Sequence, residues 1–117
     1  YDFLGVGMKH FLCCLKSILT LIFLCFSFNT CADPFAIGDF DFGKKLHDES
    51  CSSCHNGMFP SGNGDELYSS DFRSISNSSK LRSQVEFCAN QNNFIWFDEE
   101  IDSVSKFLND NFYQFKE

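Results

Sequence analysis

Basic charge is scarce in this sequence: nine lysines and arginines stand against sixteen acidic residues. Phosphate backbones are gripped by basic clusters, so this balance disfavours a nucleic-acid partner. Strand patterning is missing as well. No segment alternates convincingly between apolar and polar residues, and no internal repeat appears. No second C-x-x-C or C-x-x-H accompanies the Cys51–Cys54 pair, which leaves a zinc knuckle two ligands short. Long apolar runs are absent too. Ile18 to Phe28 holds 11 residues, and the wider stretch from Phe11 to Phe28 reaches only 18, interrupted by Lys16. A membrane-spanning helix wants about 20.

What stands at the N-terminus reads as an export signal. Met8-Lys9 looks like a translation start, so Tyr1 to Gly7 is expected to be upstream sequence. Lys9, His10 and Lys16 supply positive charge, the apolar stretch follows, and Thr30-Cys31-Ala32 offers small residues at a cleavage site. Residues 8–32 are therefore predicted to be a signal peptide. The rival is a retained anchor through residues 11–28. A lipoprotein anchor on Cys31 fits less well, because Phe28-Asn29-Thr30 lacks the small residues expected before a lipidated cysteine. Each reading places the remainder outside the cytoplasm, and a periplasmic location is expected.

Residues 33–117 then form one domain of 85 residues, near the lower size at which an apolar core suffices alone. Removing residues 1–32 takes away two of nine basic and one of sixteen acidic residues, so seven face fifteen and the net charge is −8. Such a surface suits a partner with a basic docking face.

Seven cysteines are present, but Cys13, Cys14, Cys25 and Cys31 fall in the signal segment. Cys51, Cys54 and Cys88 remain, an odd number for an oxidising compartment. Cys51-Ser52-Ser53-Cys54-His55 supplies the reason: C-x-x-C-H is the attachment motif of haem c. On a helix, positions i, i+3 and i+4 share a face, so both thiols can reach the two vinyl groups while the imidazole lies under the iron. A thioredoxin-like dithiol would need neither the histidine nor this helical context.

The coarse pattern predicts an all-α domain. A helix is expected over 42–54, with Phe42 and Leu46 on one flank, then a loop from His55 to Gly64 punctuated by Gly57, Pro60, Gly62 and Gly64. Ser69 to Ser79 reads as loop, with Ser79 capping a helix from Lys80 to about Ala89, and Gln91 to Asn93 breaking it. Asp98 is a candidate N-cap for a last helix to about Tyr113, with Ile101, Val104, Phe107 and Leu108 as its apolar stripe.

The helix entering the haem motif and the C-terminal run from Trp96 through Leu108 together resemble the class I monohaem cytochromes c, over roughly residues 39–113. The resemblance implies three to four helices wrapped round one covalent haem and a one-electron carrier rather than an enzyme, working with redox partner proteins. It also implies that the first and last helices cross near the haem edge, with Phe42 and Phe107 at the contact.

The family usually supplies a methionine as sixth iron ligand from a loop shortly before the last helix. Here Met58 lies only three residues after His55, too close to reach the opposite face of the macrocycle, and is expected to pack. His47, about 12 Å along a straight helix from His55, is expected to be solvated. Cys88 stands 33 residues after His55 and 11 before Glu99, about where the distal ligand would come. His55 and Cys88 are thus the candidate iron ligands, and a thiolate would favour the ferric state and a low potential. A small buried cysteine or an intermolecular disulfide are the alternatives for Cys88, and an open distal site would make the chain a ligand-binding or sensing module or a small subunit of a redox enzyme. The phenylalanines after Ala32 and Trp96 are expected to wall the pocket. Arg73, Lys80 and Arg82 form a basic cluster suited to haem propionates, a partner or solvent alike. Asp98-Glu99-Glu100 reads as negative charge placed at a helix N-terminus.

Overall fold

A computed structural model describes residues 32–116, and the expected signal segment lies outside them. Every regular element among the described residues is helical. The chain enters through a turn in which Asp33 accepts a hydrogen bond from the Phe35 amide, leaving Phe35 buried. Asp39 then caps the first helix, α1 (Phe40–Ser50): its carboxylate accepts from the Phe42 amide at 2.7 Å.

The helix expected over 42–54 is two helices. It is interrupted at Cys51, and α2 (Ser52–Gly57) follows with His55 inside it. The break matters. A straight helix would hold His47 and His55 about 12 Å apart, whereas their ring centroids are 6.4 Å apart. A 3-10 helix follows at Gly64–Tyr68, tied back to α2 by the Asn56 side chain, which accepts from the Gly64 amide at 2.8 Å.

Helix α3 (Ser78–Gln91) is capped by Asn77, which accepts from Lys80 N–H, rather than by Ser79. Its end is a Schellman motif. Asn93 takes a left-handed φ of 59°, while Phe94 N–H donates to Ala89 and Asn93 N–H donates to Asn90. The break expected at residues 91–93 is therefore present. Helix α4 (Asp98–Leu108) has Phe97 at its N-cap, with Asp98 as its first residue, and the Glu100 side chain accepts from Phe97 N–H at 2.9 Å. Beyond Leu108 the chain widens into a π turn, Asn109–Tyr113, that carries Phe112 and Tyr113 against Tyr68.

The core is made where α1 crosses α4. Gly43 and His47, one turn apart, are the buried face of α1. Ile101, Val104, Phe107 and Leu108 are buried on α4 as expected, and Leu81 and Val85 of α3 complete the cluster. The crossing is so close that a Cβ on Gly43 would stand 1.9 Å from the Ser103 carbonyl oxygen. Ser103 is fully buried, and its hydroxyl accepts from the Asp39 amide at 3.0 Å. The aromatic partner of Phe107 is not Phe42, which is half-buried. Phe40 and His47 meet Phe107, at centroid distances of 5.5 and 5.1 Å. The face that begins at Gly43 repeats at His47, and Phe42 lies a residue off it.

The three residues of the basic cluster have different partners. Arg82 bonds Asp98 and Asp102, both at 2.7 Å, and so ties α3 to α4. Lys80 donates to Ser76. Arg73 donates to the Phe112 carbonyl and lies over the Tyr113 ring. Among the described residues, no helix is long and apolar enough to cross a membrane.

Candidate functional site

One cavity of about 430 Å³ opens between α1, α2, α3 and α4, within the size range of cofactor pockets. Cys51, Cys54, His55 and Cys88 all line it, so four residues spread over 38 positions of sequence meet at one cavity. Leu67, Ile75, Leu81, Val85, Phe94 and Trp96 supply much of the apolar remainder. Trp96 stacks on Phe94 at 5.2 Å. Most of the phenylalanines do not line the cavity: Phe72 and Phe94 do, while Phe35 and Phe107 fill the core and Phe87 and Phe97 are exposed.

The thiols differ. Cys54 is exposed, and Cys51 is half-buried at the helix break. Burial, then the nearby Cys88 and Cys54 sulfurs, push the Cys51 thiol up to about 11. Cys88 is half-buried and accepts a hydrogen bond from the Gln84 amide at 3.3 Å. Met58, expected to pack, is 58% exposed at the cavity wall.

The imidazole of His55 is held from behind. Its Nδ1 lies 2.6 Å from the Tyr68 hydroxyl, and the same hydroxyl lies 2.8 Å from Nε2 of His47. Burial lowers the pKa of both histidines and raises that of Tyr68, so all three groups are neutral at ordinary pH. With Nδ1 engaged, Nε2 is the nitrogen of His55 left for a ligand bond. No family model, curated protein or solved structure matches the chain. The case for a cofactor therefore rests on the residues alone.

They fit haem c. A C-x-x-C-H group needs two thiols and an imidazole with one free nitrogen, all facing an apolar cavity, and Cys51, Cys54 and His55 meet each condition. Among the described residues, no three His, Cys, Asp or Glu side chains converge as a closed metal cage. A haem iron asks less of the chain, because the porphyrin supplies the equatorial nitrogens.

His47 corrects the sequence reading. Expected to be solvated, it is 3% exposed. Its burial follows from the Gly43–His47 face of α1 and from the break at Cys51, and the i, i+4 spacing from Gly43 was the available signal. Tyr68 had none, because its role depends on a 3-10 turn folding back on α2. The burial of His47 has a consequence for stability. The folded protein resists protonating this imidazole, whereas the unfolded chain accepts the proton near 6.5. Stability is thus full above pH 6.5 and is lost as pH falls below it toward the lowered folded value. The urea midpoint should be lower at pH 5.5 than at pH 7.5. In His47→Phe, that pH dependence should shrink.

Proposed function

We propose that the chain is a monohaem c-type cytochrome, exported and acting as a one-electron carrier. One observation carries this reading: the two thiols and the imidazole of C-x-x-C-H share an apolar cavity, with His55 Nδ1 already bonded. In it, Cys51 and Cys54 are the residues that would hold the haem covalently and His55 the one that would ligate its iron. Once bound, the haem supplies a reversible one-electron couple at neutral pH.

The chain's own residues do the rest. Tyr68 orients the imidazole. Leu81, Val85 and Trp96 keep water from the iron and help hold its local dielectric low. Arg73 also lines the cavity and is the cation placed to meet a propionate. Cys88, which also lines the cavity, is the candidate for the sixth position, and closing it makes the protein a carrier rather than a ligand binder. A partner protein with a basic surface suits the acidic domain.

Co-expression with a cytochrome c maturation system tests the reading. Mass spectrometry should find one haem per chain, stable to acid and denaturant because two thioethers hold it. The Cys51→Ala, Cys54→Ala double variant should carry none covalently. Wild-type protein that emerges without covalent haem would contradict the proposal.

A further inference from the structure

Behind His55 lie two further polar groups, Tyr68 and His47, with no obvious structural need. His47 and Tyr68 are 3% and 5% exposed, and an apolar pair would fill the same volume without polar atoms to satisfy. The Tyr68 hydroxyl and His47 Nε2 instead lie on one chain: His55 Nδ1, Tyr68 hydroxyl, His47 Nε2, at 2.6 and 2.8 Å. His47 Nδ1 is buried without a hydrogen-bond partner, and the nearest acid oxygen is that of Asp48, 3.5 Å away.

That last distance gives the chain a direction. A hydroxyl has one proton to donate, so either His55 or His47 receives it. The Asp48 carboxylate favours a proton on His47 Nδ1, because a lone pair there would face a negative charge. Neutral His47 is then an acceptor at Nε2, and the Tyr68 hydroxyl donates its hydrogen bond to it. Tyr68 must in turn accept, and the donor is His55 Nδ1–H. This direction follows from Asp48 and does not presuppose iron. It is also the tautomer that leaves His55 Nε2 with its lone pair.

Resting on the haem reading, we propose that Tyr68 is the positioning residue of the proximal ligand: its hydroxyl, oriented by His47, locks His55 as the Nδ1–H tautomer and strengthens it as a base. A hydrogen bond accepted from the far nitrogen of a ligating histidine fixes ring orientation and raises ligand basicity. A more basic imidazole favours ferric over ferrous iron.

The test compares midpoint potentials of the holoprotein and two variants. In Tyr68→Phe the ring remains and the hydroxyl goes. Haem should stay attached through Cys51 and Cys54, and the preference for ferric iron should drop by about tenfold. That is an upward shift of about 59 mV for a one-electron couple. His47→Gln retains an oxygen acceptor for the hydroxyl and should move the potential much less. A haem-bearing Tyr68→Phe with the wild-type potential overturns the proposal and leaves the cytochrome reading intact. Wild-type protein without haem overturns both. Should the variant not fold, 15N-resolved NMR of the wild-type ferrous protein decides. The His55 Nδ1 proton should be present and slow to exchange; an unprotonated Nδ1, or exchange as fast as an exposed imidazole, overturns the proposal.

Discussion

Replacing Gly43 by alanine should remove most of the domain's stability. The added Cβ would stand 1.9 Å from the Ser103 carbonyl oxygen, 2.4 Å from its carbonyl carbon and 2.9 Å from the Val104 nitrogen. All three are backbone atoms in the middle of α4, so no rotamer change relieves the clash. The helices must separate by more than 1 Å to reach ordinary contact. Doing so would open the Phe40–Phe107 and His47–Phe107 contacts and loosen the Asp39–Ser103 hydrogen bond. Overpacking a core costs typically 1–3 kcal/mol and occasionally more. With backbone on both sides, about 4 kcal/mol or more is expected here, which belongs to the exceptional class of single substitutions. Domains hold only about 5–15 kcal/mol in total, and one this small sits at the low end. Urea unfolding followed by circular dichroism checks it, with Gly57→Ala as control, since nothing lies within 4 Å of a Cβ there. Gly57→Ala should be neutral or slightly stabilising. Equal midpoints for the two variants would mean that α1 and α4 do not cross as described.

Gly43 also shows where sequence reading reaches its limit. The motif Cys51-Ser52-Ser53-Cys54-His55 brings two thiols and an imidazole together within five residues, and all three line one cavity. The apolar stripe Ile101, Val104, Phe107, Leu108 announces a buried face by its spacing alone, and all four are buried. Both signals are local. The tight crossing is not: a glycine inside a helix says only that something comes close, and Ser103 is 60 residues away. The burial of His47 is hidden for a related reason. Lys44, Lys45, Asp48 and Glu49 surround it in sequence and make it look like part of a wet surface, yet α1 turns them outward and His47 inward. The break at Cys51 was equally hidden, since Ser52 and Ser53 are compatible with an unbroken helix. Tyr68 needed both events, the inward turn of His47 and the break before α2, before it could bridge the two rings.

The second large effect is expected at Cys88. In the ferric holoprotein, Cys88→Ala should abolish the low-spin signal completely rather than weaken it, and the reduced variant should take up carbon monoxide at once. Cys88 lies on α3, and His55 on α2. Both side chains line the same cavity, so under the proposed haem reading the two helices would offer ligands from different elements. Gln84, one turn earlier on α3, donates to the Cys88 sulfur at 3.3 Å. Such a bond orients the sulfur and, toward a bound thiolate, withdraws some of its charge. Removing the thiolate takes away a negative ligand that favours Fe(III), so the midpoint potential should rise. Alanine at this half-buried position should leave the fold in place. Ferric optical and EPR spectra with and without the substitution, together with carbon monoxide addition after reduction, give the readout. An unchanged low-spin spectrum in Cys88→Ala would remove Cys88 from the sixth position. Immediate carbon monoxide binding by the wild type would argue instead for an open distal site and a ligand-binding module. Met58→Ala supplies the matching control: its side chain lies largely in solvent, three residues past the proximal ligand, and its loss should leave the spectrum as it was.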